Sequence, residues 1–197
     1  MEKQYEAHLQ HVKARRENLG SQLCRLFTSE TEALSLEIGC GHGHWLVDFA
    51  SAHPEKRFLG VDIIGDRVER AKRKKERAGL RNVEFLRGEA MEILDLLPSH
   101  VVLRDTFILF PDPWPKKRHW KNRLFGKPFL EALSERSEAG ARCYFRTDDR
   151  NYFDWAVEAV ALQSLWRREE TFEWPFERET VFQARAAAYY SLAIVKE

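Results

Sequence analysis

Short apolar runs alternate with longer amphipathic or charged runs along most of this chain, and that rhythm leaves few architectures open. Strand-like segments are expected at 34–38, 57–62, 83–87, 106–110 and 141–146. Helix-like segments are expected between them at 45–52, 65–78, 89–97, 128–137 and 152–162. Gly79, Pro98 and Gly140 supply stop signals, and Asp148 or Asp149 can cap the last helix. Two further strand candidates lie near Thr171 and at 189–195. A β-α-β-α order implies a largely parallel sheet with helices on both faces. In such sheets ligands bind at the carboxyl ends of the strands, where the strand order reverses. Ahead of this region, Tyr5, Leu9, Val12, Leu19, Leu23 and Leu26 recur at helical spacing. The expected organisation is therefore a helical extension over 1–30 and one α/β domain over 31–197.

The first strand runs into Glu37-Ile-Gly-Cys-Gly-His-Gly43. Glycines at a strand-to-helix turn permit positive φ and let a ligand approach the backbone. A dinucleotide fingerprint would need its third glycine at position 44, where His44 stands. An acid two residues before Gly39 also repels a pyrophosphate. It suits a cation instead, such as the amine and sulfonium of S-adenosylmethionine. Asp62 ends the second strand, where a carboxylate can take both hydroxyls of a ribose. Glu89 follows the third strand and can face an adenine edge. Three acids after three successive strands outweigh the plainer reading of a tight turn with solvated carboxylates. Gly39, Gly41, Gly43, Glu37, Asp62 and Glu89 are the candidate cofactor residues.

Directly after the fourth strand comes Phe110-Pro-Asp-Pro-Trp-Pro115. Prolines on both sides of Asp112 stiffen the backbone and fix the direction of its carboxylate. Trp114 beside that carboxylate makes a site for a flat, hydrogen-bonding ring, since the indole stacks while the acid accepts from ring N–H groups. Guanine offers such donors. The next eight residues, Lys116-Lys-Arg-His-Trp-Lys-Asn-Arg123, include five Lys or Arg. Beside a base-shaped site, they read as a contact for RNA phosphates, with Lys117, Arg118, His119, Lys121 and Arg123 as the candidates. The basic helix around 67–77 carries Glu69 and Glu76 as well, and reads as a solvated face.

Composition sets outer limits. Hydrophobic residues make up 44% and charged residues 32% of 197, the balance of a globular domain rather than a disordered chain. The formal charge is only +1, so any nucleic-acid contact must be a local patch. No apolar run is long enough to cross a bilayer, and Met1 to Tyr5 has no basic-then-apolar leader pattern. Cys24, Cys40 and Cys143 form no Cys-x-x-Cys pair, which fits a reducing, cytoplasmic location. His42 and His44 lack a third ligand at a recognisable spacing, so no metal site is expected. Oligomeric state is open.

These motifs together resemble the bacterial tRNA (guanine-N7-)-methyltransferase family, over roughly 36–185. Its most specific element is Phe110-Pro-Asp-Pro-Trp-Pro-Lys-Lys-Arg-His119. Leu36 to Gly43 matches its glycine loop, Thr147-Asp148 its Thr-Asp element, and Thr180-Val-Phe-Gln-Ala-Arg185 its C-terminal segment. The resemblance implies an α/β, Rossmann-like class I S-adenosylmethionine-dependent methyltransferase fold, with a seven-stranded, mostly parallel sheet. It also implies methyl transfer from S-adenosylmethionine to N7 of a guanosine in the tRNA variable loop. Carried across position by position, Glu37, Asp62, Glu89 and Asp112 serve the cofactor or the catalytic pocket, and Asp112 is the catalytic candidate. Trp114, Lys116, Asp148, Thr180 and Gln183 serve the substrate. Three positions depart from the family pattern. Asp62 stands for a glutamate, Glu89 for an aspartate, and Gln183 for a glutamate. An amide at 183 hydrogen-bonds but cannot balance the positive charge that guanine gains on methylation. Two alternatives stay open on that ground, an RNA-binding paralogue with weak or lost catalysis and an enzyme for another purine-containing substrate.

Overall fold

The computed structural model describes residues 2–28, 32–178, 183–186 and 188–197. The strands are β1 (Glu32–Ile38), β2 (Arg57–Asp62), β3 (Val83–Arg87), β4 (Val101–Leu109), β5 (Ser137–Thr147), β6 (Trp166–Arg168) and β7 (Tyr190–Lys196). The helices are α1 (Glu2–Leu26), α2 (His44–Ala52), α3 (Gly65–Arg77), α4 (Ala90–Leu96), α5 (Lys127–Arg136) and α6 (Arg150–Ala161). One seven-stranded sheet runs in the order β3-β2-β1-β4-β5-β7-β6. Strands β1 to β5 are parallel, and β7 pairs antiparallel with both β5 and β6. The order reverses between β1 and β4, which places the ligand crevice at their carboxyl ends.

Alternation along the strands divides the core in two. Leu34, Leu36 and Ile38 of β1 face one side, with Leu59, Ile108, Phe145 and Ile194, against α4, α5 and α6. Phe58, Phe85, Phe107, Tyr144 and Ala193 face the other side, against Trp45, Phe49 and Ala71 of α2 and α3. Period-2 strands buried on both faces read as near-continuous apolar runs, as these do. The last turns of α1 join the first layer. Leu19, Leu23 and Phe27 are buried there, each worth about 1.5–3 kcal/mol against exposure. Arg15 donates to Glu92 at 2.6 Å, and Arg16 pairs with Asp95 on α4.

Helices α2 and α3 cover only part of the second face, and the aromatic segment 172–176 covers the rest. Phe176 stacks on Phe49 at 4.9 Å, Trp174 meets Tyr144 at 5.4 Å, and Trp45 Nε1 donates to the Phe176 carbonyl at 3.3 Å. The strand expected near Thr171 is therefore absent. The pairing strand lies earlier, at Trp166–Arg168, where buried Trp166 anchors the edge. The aromatic residues that follow pack against Tyr144 of the sheet and Phe49 of α2 instead, and Pro175 has no N–H for a ladder. Strand β4 also begins five residues earlier than its apolar core suggests, at Val101. Among the described residues no helix is long and apolar enough to cross a membrane.

Candidate active site

The glycine loop lies between β1 and α2. Gly39, Gly41 and Gly43 all have positive φ, at 77°, 53° and 66°. They do different work. A Cβ on Gly43 would sit 2.7 Å from Ala71 Cβ and 2.9 Å from the Phe85 ring, so this glycine lets α2 pack on α3 and β3. A Cβ on Gly39 or Gly41 would meet nothing within 4 Å. Those two line open space where a ligand can approach the backbone.

Glu37 is 4% exposed, and its Oε2 has no hydrogen-bond partner. Burial, and then the nearby Asp62 charge, push its carboxyl up to about 8. An orphaned buried carboxylate beside an open glycine loop fits a cationic ligand. Asp62 is also buried. Its Oδ2 accepts from Gly41 N at 3.0 Å and its Oδ1 from Ile64 N at 2.8 Å, with Arg67 at 3.7 Å. It braces the loop, and its remaining lone pairs can still take hydroxyls. Glu89 is exposed at the start of α4 and lies 3.6 Å from Arg15. Buried Cys40 has its thiol pushed well above the ordinary value, first by burial and then by Glu37 and Asp62, so it is no nucleophile.

The Pro-rich segment follows β4. Ile38 pairs with Ile108, and Leu109 with Arg146, so the ends of β1, β4 and β5 lie side by side. Phe110 and Trp114 both adopt left-handed backbone, with φ of 51° and 48°. For bulky L residues this costs about 1–3 kcal/mol each and persists only where the surroundings impose it. One restraint is the bond from Phe110 N to the Arg146 carbonyl, at 2.8 Å. Another is Arg123 Nε, which donates to the Pro113 carbonyl at 2.9 Å. Between the two strained residues Asp112 stands exposed, and Trp114 packs edge-on to His119 at 5.8 Å. Asp148 is exposed after β5, while Asp149 caps α6 by accepting from Tyr152 N at 2.7 Å.

Lys116, Lys117, Arg118 and Lys121 are exposed, with His119 partly so, around a 3-10 turn over Lys117–Asn122. Arg123 corrects the expectation of an RNA contact. It is 6% exposed, donates to Asn151 as well as Pro113, and lies 4.7 Å and 4.9 Å from the rings of Trp120 and Tyr152. Its donors are spent inside the fold, where they hold the Pro-rich loop on α6.

The sequence reading did not single out Arg146, Trp174, Glu177 or Tyr189. Buried Arg146 stacks 3.6 Å over Trp174 and donates to Glu177 at 2.6 Å, to Ser191 Oγ at 3.1 Å and to Gln183 Oε1 at 3.5 Å. Gln183 Nε2 in turn donates to the Tyr189 hydroxyl at 3.0 Å. Glu177 thus supplies a carboxylate close to where Gln183 has none. A cation at the carboxyl end of a strand, directly after apolar Cys143, Tyr144 and Phe145, was the available signal. Thr180 lies outside the described residues. Among the described residues no group of three or more His, Cys, Asp or Glu is placed to hold a metal ion.

A seven-stranded sheet in this order, with a glycine loop after β1 and acids closing β1 and β2, is the class I S-adenosylmethionine-dependent methyltransferase fold. An rRNA methylase from Streptococcus thermophilus shares that fold, with a TM-score of 0.58 at 13% identity over 90% of this chain and 93% of that one. A family model described as "Putative methyltransferase" matches residues 31–187, and the chain belongs to that family. Curated relatives named tRNA (guanine-N(7)-)-methyltransferase include one from Rubrobacter xylanophilus, 37% identical over 68% of this chain and 60% of its own length. Another, from Brevibacillus brevis, is 31% identical over 71% of this chain and 65% of its own length. The matched region thus spans less than two thirds of either relative.

Proposed function

We propose that this chain is a tRNA (guanine-N7-)-methyltransferase that uses S-adenosylmethionine. The observation that carries this reading is Asp112, exposed between two strained residues just after β4, the strand that pairs with the end of β1 where Glu37 keeps a buried, unpartnered carboxyl oxygen. Both relatives described above bear the corresponding name. When bound, S-adenosylmethionine supplies an electrophilic methyl group on a sulfonium. Glu37 offsets positive charge on the ligand, Asp62 and Glu89 hold its polar edges, and Gly39 and Gly41 leave room along the backbone. Guanine N7 has a lone pair and no proton, so no side chain has to remove one. The work left to the protein is alignment and exclusion of water. Asp112 and Asp148 stabilise the positive charge that develops on guanine, with Asp112 held more rigidly. Trp114 stacks on the base, and Lys116, Thr180 and Gln183 complete the substrate site. Lys117, Arg118, His119 and Lys121 meet RNA phosphates.

The test is to incubate unmodified tRNA with the protein and labelled cofactor, then map the modified nucleotide. N7-methylguanosine in the variable loop is expected. Label on another purine, or cofactor binding without transfer, would replace this reading with one of the alternatives. Asp112→Ala is expected to abolish transfer while leaving the circular dichroism spectrum and cofactor binding intact. Near-wild-type turnover would remove Asp112 from the catalytic role.

A further inference from the structure

Helix α3 carries charges of both signs, with Asp66, Glu69 and Glu76 exposed among its cations. Val68 and Ala71 are buried. Glu69 is paired with Lys72 at 2.9 Å, and Lys75 pairs with Glu84 on β3 at 2.5 Å. Arg70, Arg73, Lys74 and Arg77 follow i, i+3, i+4 and i+7 spacing, which puts them on one stripe. None of the four forms an ion pair with a carboxylate among the described residues. They line one cavity of about 290 Å³ with His42 and His44 of the glycine loop. No acidic side chain lines that cavity.

The cavity is tied to the cofactor loop itself. Lys74 Nζ donates to the His42 carbonyl at 2.9 Å. Burial, and then Arg70, Lys74 and Arg67, hold His42 below its ordinary value against the pull of Asp62. Burial, Lys74, His42 and Arg178 do the same for His44 against Asp48. Both imidazoles therefore stay neutral hydrogen-bonding groups at neutral pH, and the positive charge comes from α3. Arg70, Arg73 and Arg77 are exposed, and their planar guanidinium groups match phosphate oxygens two at a time. The stripe spans about 10 Å of helix axis, close to the rise of about three nucleotides of one strand in a duplex.

We propose that Arg70, Arg73 and Arg77, with Lys74, His42 and His44 at their base, bind the sugar-phosphate backbone of the RNA substrate. This surface lies on the cofactor side of the site, away from the basic segment after Pro115. It rests on the reading of the chain as a tRNA methyltransferase. The solvated-face reading of α3 treats its charges as one mixed set, whereas the fold gathers four of its cations at one cavity that no acid lines.

The test uses the full chain and unmodified tRNA transcript, with binding measured across a salt series. Arg70→Ala/Arg73→Ala/Arg77→Ala is expected to weaken binding at least about tenfold at moderate salt. The slope of log affinity against log salt should become shallower by about 2 to 3, near one for each phosphate that the variant no longer neutralises. Cofactor binding and the circular dichroism spectrum should not change. Lys127→Ala/Arg167→Ala/Arg168→Ala removes equal charge from exposed cations already paired with Glu131, Glu197 and Glu170, and should leave the slope unaltered. Single Arg73→Ala, expected to change the slope by about one, serves if the triple variant does not fold. A wild-type protein that methylates tRNA while the α3 variant keeps the same slope overturns this inference alone. Equal losses in both triple variants also overturn it, because net charge would then explain the effect. A wild type that neither binds nor methylates tRNA overturns the substrate reading, and this surface with it.

Discussion

Replacing Glu37 by Gln changes one atom type and removes one buried titration. In the folded chain the carboxyl is pushed from 4.5 up to about 8, by burial first and by Asp62 second. The folded state therefore keeps a proton that the unfolded chain releases above pH 4.5. Raising the pH removes stability, starting near 4.5 and ending above about 8. At about 1.4 kcal/mol per unit the full loss approaches 5 kcal/mol. Water entering the open loop reduces it, so a few kcal/mol is the realistic scale. For a chain of this size that is on the order of 10 °C in melting temperature. Thermal melts of ligand-free wild type and Glu37→Gln from pH 5 to pH 9 measure it. The wild-type curve should fall more steeply, and the two should diverge until about pH 8 and then run parallel. Half-buried Asp105, whose carboxyl is also raised by desolvation, contributes equally to both proteins and cancels. The variant should also lose most of the thermal shift that S-adenosylmethionine gives the wild type. Parallel profiles over the whole range would refute the assignment of a protonated, orphaned Glu37.

Other substitutions separate roles that the sequence runs together. Arg123→Ala should destabilise the fold by about 2–3 kcal/mol in denaturant melts, since the Pro113 carbonyl and Asn151 lose a charged donor and three aromatic rings lose a buried guanidinium, while exposed Arg118→Ala should leave stability alone and weaken tRNA binding. Gly43→Ala should unfold or severely destabilise the protein, because its Cβ would overlap Ala71 and Phe85. Gly41→Ala should cost only about 1–2 kcal/mol for its positive φ yet abolish cofactor binding by calorimetry. Gln183→Glu should raise kcat/KM for tRNA by roughly tenfold, through a charge-assisted bond near Arg146. A decrease would show that the Arg146–Glu177 pair already satisfies the site.

Much of the frame was legible because its determinants are local. Alternation within a strand, a glycine that needs positive φ, and prolines around Asp112 act within a few residues. They placed β1, β2, β3 and β5, the cofactor loop and the rigid segment after β4. The strand expected near Thr171 failed because aromatic alternation marks residues that pack on a sheet as readily as residues that pair in one. Phe172, Trp174 and Phe176 roof the sheet. Arg123 failed because a basic residue looks the same in sequence whether it meets water or three aromatic rings.

By itself, then, the amino-acid order determined the parallel α/β frame, the turn glycines and the set of acids that follow the strands. Only the tertiary structure decided the electrostatic state of those groups. Burial against the sheet, contributed by residues far along the chain, left Glu37 without a partner. Packing of α3 against β3 and the loop gathered Arg70, Arg73, Lys74 and Arg77 around His42 and His44. Packing of the aromatic segment 172–176 over the sheet brought Glu177 to Arg146, and Gln183 meets the same guanidinium. Charge and solvation depend on neighbours in space, and bonded neighbours such as Trp45 and Phe176 stand 131 residues apart in the chain.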